Sequence, residues 1–249
     1  MSKPLKAAIL AAGAGTRMRT DGSDLPKVMR LANGVPLLGH VLRALNFIAP
    51  EDIILIVGYR RDMVTNAFPG YPAAVQKEQL GTGHAARAAL ELLDGYDGDL
   101  LLCCGDMPLL RRETYQALAE VHRAEGNACT ILSGTASSPL PYGRILRDGD
   151  GAFAGIVEER DATPIQREIR ELNSAVYVFD MRALRPALDA LSPTNNQGEY
   201  YLTDAPLIIK AGGGKVGVCK RGLGSEILGV NTPEQLSEVE RELRKREGL

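Results

Sequence analysis

Cysteine is scarce in this sequence: Cys103, Cys104, Cys129 and Cys219 are its four, and no two form a C-x-x-C pair. All lie in apolar, strand-like runs. That argues against a disulfide framework or a cysteine metal site and reads them as small buried hydrophobes in a reducing compartment. The three histidines, His40, His84 and His122, are scattered and form no ligand cluster. No Ser-His-Asp arrangement is visible, which leaves nucleophilic hydrolase chemistry without a candidate. No apolar run reaches the ~20 residues that span a bilayer. The N-terminus lacks an apolar core followed by a cleavage site, so a cytoplasmic protein with no membrane partner is expected. Neither sign of charge dominates: the formal net charge is −2 and lysine and arginine are dispersed, so no nucleic-acid footprint is present. Low-complexity segments and internal repeats are also missing.

What is present is ordinary globular composition, 45% apolar and 24% charged over 249 residues, ample for one large core. Apolar runs alternate with helical patterns. Strands are expected at 6–10, 53–57, 74–76, 100–104, 128–132, 171–179 and 216–219. Helices are expected at 36–45, 85–93, 114–124, 181–191 and from about Pro233 to the end. This alternation predicts an α/β sheet with right-handed crossovers. Ser133 to Pro141 reads as a loop. The runs 142–146 and 153–157, joined through Asp148-Gly149, read as a β-hairpin.

The chain is organised around Ala7-Ala8-Ile9-Leu10-Ala11-Ala12-Gly13-Ala14-Gly15-Thr16-Arg17-Met18. An apolar strand that empties into a glycine-rich turn brings backbone close to a nucleotide. Gly13 and Gly15 are free to adopt positive φ, and Arg17 adds a fork of phosphate donors. Lys27 follows on the same loop. A dinucleotide fingerprint is excluded because its third glycine falls on Met18, and a P-loop is excluded because Gly-Lys-Ser/Thr is absent. On these residues alone a plain strand-to-loop turn remains an equal reading.

Other candidates carry similar pairs of readings. Gln76-Lys77-Glu78-Gln79-Leu80-Gly81-Thr82-Gly83-His84 offers a glutamine for a base edge, glycines for close approach and a threonine hydroxyl; otherwise it is a loop with a helix cap at Thr82. Asp106 follows a buried strand and Gly105, where a carboxylate reaches Mg²⁺ and phosphate; otherwise it is a turn residue. Asn173 grips sugar hydroxyls or is a satisfied structural amide. Asn231 is a ligand or the cap of the last helix. The segment 195–204 lies near the sugar pocket or packs the core.

The string Leu10-Ala11-Ala12-Gly13-x-Gly15-Thr16-Arg17-Met18 followed by Leu25-Pro26-Lys27 resembles the signature loop of sugar-1-phosphate nucleotidyltransferases. The Gln76–Ala86 segment, Tyr142-Gly143-Arg144-Ile145, Ile156-Val157-Glu158-x-x-Asp161-Ala162, Gln197-Gly198-Glu199-Tyr200-Tyr201 and Gly229-Val230-Asn231 extend the likeness to nearly the whole chain. It is most similar to the uridylyltransferase half of the bifunctional enzymes that make UDP-N-acetylglucosamine. The resemblance implies a single Rossmann-like α/β domain over 1–249 with a mixed, mainly parallel sheet and a small β-hairpin sugar-binding subregion. Residues 1–132 would mainly serve the nucleotide, and 133–249 mainly the sugar and the C-terminal helix. It implies transfer of UMP from UTP to N-acetylglucosamine-1-phosphate with Mg²⁺. Arg17, Lys27 and Asp106 would be catalytic; Leu10, Ala11, Ala12, Gly13, Gln76, Gly81 and Thr82 would bind the nucleotide; Gly105, Gly143, Glu158 and Asn173 would bind the sugar; and Asp106 and Asn231 would hold the metal. Two departures are noted: Cys104 stands where the compared family has tyrosine, and the Ser137–Pro141 loop does not match. Another sugar or base on the same fold, or a non-catalytic nucleotide-sugar sensor, are the alternatives. Without hexapeptide repeats after Leu249, acetyltransferase activity and β-helix trimer contacts are expected to be absent.

Overall fold

The computed structural model describes residues 3–21, 24–135 and 140–248, without the side chains of residues 19–21. The chain runs β1 (Leu5–Ala11), a short pair β2 (Leu31–Ala32) and β3 (Val35–Pro36), α1 (Leu37–Ala44), β4 (Ile53–Val57), α2 (Arg61–Ala67), β5 (Ala73–Val75) and α3 (Thr82–Ala88). It continues through β6 (Asp99–Cys104), α4 (Arg112–Glu125), β7 (Cys129–Thr135), β8 (Arg144–Arg147), β9 (Phe153–Val157), α5 (Pro164–Arg167) and β10 (Glu171–Asp180). It ends with α6 (Met181–Asp189), α7 (Ala205–Ala211), β11 (Val216–Arg221) and α8 (Pro233–Glu247).

Among the described residues the main sheet orders its central strands β11-β7-β10-β6-β1-β4-β5, with β8 and β9 attached beside β10. Every strand of that path runs the same way except β10, which is antiparallel to both β6 and β7. The expected mixed, mainly parallel α/β sheet is therefore present. β4 and β6 read as continuous apolar runs because both faces of the sheet are covered. Alternate residues of β1 feed two cores: Ala7, Ile9 and Ala11 pack with α1 and α4, whereas Ala8 packs with α3 and α6. A third cluster, with Met18, Leu37, Leu109, Val230 and Val239, seats α8 against the loop after β1.

Several boundaries differ from the sequence expectations for identifiable reasons. The third helix begins at Thr82, three residues early, and gives way to a 3₁₀ turn over Ala89–Leu93. The strand expected to end at 132 continues to Thr135, because Ser133 hides its hydroxyl on Glu171 and Gly134 pairs with β10 and β11. Residues 136–139 of the expected loop lie outside the described residues. The short helices α2, α5 and α7 have too few turns to show a period. The β8–β9 hairpin is closed at Asp148, whose Oδ1 accepts from the N–H groups of Asp150 and Ala152.

Candidate active site

The parallel strands β1 and β6 both release their chains at the same end of the sheet, and the sequence-predicted polar residues gather there. Lys27 Nζ donates to Asp106 Oδ2 and, at 3.1 Å, to Asn231 Oδ1. Arg17 donates to the same Asn231 oxygen at 3.4 Å. Four residues from three stretches of chain thus share one centre. Gly15 makes the approach possible. It has φ +62°, and a Cβ there would stand 2.7 Å from Lys27 Cβ. Gly13 is different: its φ is outside the left-handed region and a Cβ would meet nothing within 4 Å, so its bareness leaves open space in the cleft. Asn231 is not the helix cap. Thr232 caps α8 in a reciprocal pair with Gln235, which leaves the Asn231 side chain to the cluster.

A cleft of about 350 Å³ extends from this centre along the β1 loop, lined by Leu10, Ala12, Gly13, Gln76 and Thr82 among others. Gln76 is 6% exposed. Its amide N–H groups go to Gly81 O at 3.1 Å and His84 Nδ1 at 3.2 Å, so what it offers a ligand is its carbonyl oxygen. Thr82 Oγ1 accepts from Leu202 N–H at 3.0 Å, which leaves its own hydroxyl proton for a ligand. Of the glycines flanking Thr82, Gly81 lines the cleft as expected, and both are also packed against the chain itself. A Cβ on Gly81 would lie 2.6 Å from Tyr200 O, and one on Gly83 would lie 2.3 Å from Leu191. Gly83 N–H and Leu80 O pair with the Tyr200 backbone at 2.8 Å each. Of the two places expected for the 195–204 segment, the core is the one observed: Leu202 is buried in it and Tyr200 packs against it while clamping this turn. Glu199 lines the first cleft, beside Gln76 and Thr82.

A second cleft of about 160 Å³ shares the Cys104 and Asp106 wall and is lined also by Tyr142, Gly143, Glu158 and Asn173. Glu158 has a raised pKa: burial raises it, a hydrogen bond from Thr203 lowers it, and Asp161 and Asp204 raise it further. Asn173 is already half engaged. Its Nδ2 donates to Tyr177 Oη at 2.7 Å and its Oδ1 accepts from Ala175 N–H at 3.1 Å, across a bulge where Ala175 takes φ +55°. One amide proton and one lone pair remain for a ligand. Burial and the neighbouring Asp106 push the Cys104 thiol well up, so it stays protonated.

Two predicted residues fall behind the clefts. Ala11 is 1% exposed and packs in the core, because alternation along β1 turns it away from Leu10 and Ala12. Gly105 gives its N–H to Leu10 O, and a Cβ there would press Val28 at 3.0 Å, so it serves strand packing. Residues not singled out from sequence also line the site. Gln79 donates to Ala12 O at 3.0 Å; its position three after Gln76 was a usable signal. Tyr142 and Glu199 lie within motifs quoted above, but nothing in the residues themselves gave either a role.

The MobA-like NTP transferase domain family matches residues 7–202. The chain is 44% identical over 98% of its length to the bifunctional protein GlmU of Streptomyces coelicolor, covering 51% of that protein. It is 44% identical to the protein of the same name from Thermobifida fusca, over 98% of this chain and 52% of the relative. For the Streptococcus thermophilus protein the identity is 42% over 96% of this chain and 52% of the relative. The chain spans about half the length of the curated relatives it matches.

Proposed function

The chain belongs to the MobA-like NTP transferase family and is a nucleotidyltransferase, and from that premise we propose that it transfers UMP from UTP to N-acetylglucosamine-1-phosphate, releasing pyrophosphate. The observation that carries this reading is the convergence of Arg17, Lys27, Asp106 and Asn231 where a nucleotide-sized cleft meets a smaller polar one. An oxygen of the sugar phosphate attacks the α-phosphorus; the new P–O bond forms as the α–β bridging bond breaks, and the electron pair leaves with pyrophosphate. The attacking phosphate is already an anion, so no general base is needed. The difficulty is bringing polyanions together in line. Arg17 holds the departing phosphates, and Lys27 follows the charge that builds on the transferred group.

A divalent cation fits this donor set. Asp106 and Asn231 point hard oxygen atoms at one centre, which the Lys27 ammonium occupies. Among the described residues no group of three or more His, Cys, Asp and Glu could hold a metal. Two protein oxygens completed by phosphate oxygens and water suit Mg²⁺, a cation that keeps part of its shell from substrate and solvent. When bound there it supplies Lewis-acid charge to the reacting phosphates. Gln76 O would accept from the imide N–H of uracil. Gly143, Glu158 and Asn173 would hold the sugar. On this reading the activity would belong to the half of those relatives that this chain matches. A different acceptor sugar is the second reading, favoured by the small Cys104 on the wall common to both clefts.

The test is pyrophosphate release with Mg²⁺ across UTP, CTP, GTP and dTTP against N-acetylglucosamine-1-phosphate and glucose-1-phosphate. Signal confined to UTP with the acetamido sugar supports the full reading. Signal with another pair keeps the mechanism and replaces the substrate. Silence from folded protein that binds UTP favours the sensor.

A further inference from the structure

The acceptor side and the metal side of the site meet at one hydroxyl. Tyr142 immediately precedes Gly143, and its Oη accepts from the Gly229 N–H at 2.8 Å. Gly229 lies two residues before Asn231, and between them Val230 N–H donates to Asp106 O at 3.0 Å. A Cβ on Gly229 would stand 3.2 Å from Tyr142 Oη, so an alanine there would crowd the hydroxyl. On the other side, the nearly fully buried Arg144 donates to Tyr142 O and pairs with Glu159, the neighbour of Glu158. Gly143 O accepts from Asn173 N–H at 2.8 Å. The backbone of the sugar-side residues is therefore braced as one piece, and the Tyr142 hydroxyl carries that piece across to the loop bearing Asn231.

We propose that the Tyr142 hydroxyl is a positioning group that couples binding of the acceptor sugar phosphate to binding of the divalent cation. The proposal rests on the assignment above of Gly143, Glu158 and Asn173 to the sugar and of Asp106 and Asn231 to the metal. The bond is already formed in the free protein, so a ligand that immobilises the hairpin on one side of it also immobilises the loop bearing Asn231 on the other, and the second ligand then has less ordering to do. Coupling of this kind is reciprocal: acceptor tightens metal by the same factor as metal tightens acceptor.

The test needs no turnover. Mn²⁺ binding is read from loss of the free-ion paramagnetic resonance signal in the presence of UMP, with and without N-acetylglucosamine-1-phosphate. In the unaltered protein the acceptor tightens Mn²⁺ about fivefold or more, on the scale of one well-placed hydrogen bond. In Tyr142→Phe that factor falls below about twofold while UMP affinity stays within about twofold. Gly229→Ala, which crowds the same hydroxyl, behaves alike. Tyr96→Phe, which removes a hydroxyl bonded to Pro4 O and Asp99 O at the far end of the sheet, keeps the full factor. In steady-state assays the KM for the sugar phosphate and the Mg²⁺ requirement of Tyr142→Phe rise together, and the KM for UTP does not. Undiminished coupling in Tyr142→Phe, no coupling in the unaltered protein, or parallel loss of UMP binding would overturn the proposal. Unaltered protein that binds Mn²⁺ and UMP but no sugar phosphate would refute the acceptor assignment, and this proposal with it, a result recognisable because UMP binding persists.

Discussion

Replacing Gly15 by alanine should damage both the fold and the chemistry, and replacing Gly13 should damage neither the fold nor Lys27. Gly15 sits at φ +62°, and its added Cβ would lie 2.7 Å from Lys27 Cβ and 3.2 Å from Lys27 Cα. The left-handed conformation alone costs an L-residue about 1 kcal/mol. The contact partners are the backbone and the first carbon of Lys27, which cannot swing aside as a side-chain tip can. The loop must therefore part from Lys27, and the overlap adds about 1 kcal/mol more. A loss of about 2 kcal/mol in urea unfolding is expected. Displacement of Lys27 Nζ from Asp106 and Asn231 approaches the ~1 Å misplacement that costs about 100-fold in rate, so kcat should drop at least tenfold. At Gly13 an alanine meets no neighbour within 4 Å and needs no positive φ, so stability should hold or rise by up to ~1 kcal/mol. Its methyl enters the nucleotide cleft, and the KM for UTP should rise instead. Wild-type unfolding and kcat in Gly15→Ala, or a larger stability loss in Gly13→Ala, would refute the reasoning.

Asp106→Asn should lower pyrophosphate release by about 100-fold or more with an unchanged circular dichroism spectrum, since one charge at the reacting phosphates is lost; near-normal turnover would remove Asp106 from the mechanism. Glu158 has a folded pKa above its ordinary 4.5, so the folded state binds its proton more tightly, and this residue's contribution to stability falls as pH rises from 4.5 through the folded value. The urea midpoint of Glu158→Gln relative to the parent should therefore climb between pH 4.5 and 8; a flat difference would deny the burial penalty. Burial pushes Glu171 upward, but hydrogen bonds from Arg147 and Ser133 outweigh it and hold the carboxyl below its ordinary 4.5, so Glu171→Gln should lose stability at pH 7, and the loss should shrink as pH falls from 4.5 through the folded value; a difference that does not change with pH would deny the pairing. Ala175→Gly relieves a left-handed alanine in the β10 bulge, and its thermal midpoint should not fall; a clear drop would mean that the Ala175 methyl contributes more to packing than the backbone strain costs.

The sheet was legible because buried strands such as Ile53–Val57 leave unbroken apolar runs, and strand ends mark where polar residues must emerge. The reversal of β10 was not, since periodicity along a strand says nothing about the direction of its neighbours. The glycines at 81 and 83 show a subtler gap. Local reading gives them to a ligand, and Gly81 does line the cleft, but each is also pressed by the backbone or side chains of residues 191–200, over a hundred positions away. Gly105 and Ala11 are the same case at shorter range. Family motifs mix residues that touch substrate with residues that let the chain touch itself, and only contacts separate the two.

The cluster at the strand ends is legible for the opposite reason. No spacing rule connects Lys27 with Asp106 and Asn231, which lie 79 and 204 positions further along the chain. The resemblance named all of them, and the fold explains why they meet: β1 and β6 are parallel neighbours, and Val230 is tied to the backbone of Asp106. With Asp106 paired to Lys27, the cluster's two cations leave a single formal positive charge. Against a nucleoside triphosphate and a sugar phosphate that is too little. On the proposed reading Asp106 and Asn231 would hold a divalent cation whose charge would supply the difference, and Lys27 would then pair with the phosphates. The ion pair between Lys27 and Asp106 is then a resting arrangement in which each group keeps the other satisfied at the low-dielectric end of the sheet until substrate brings both of them new partners.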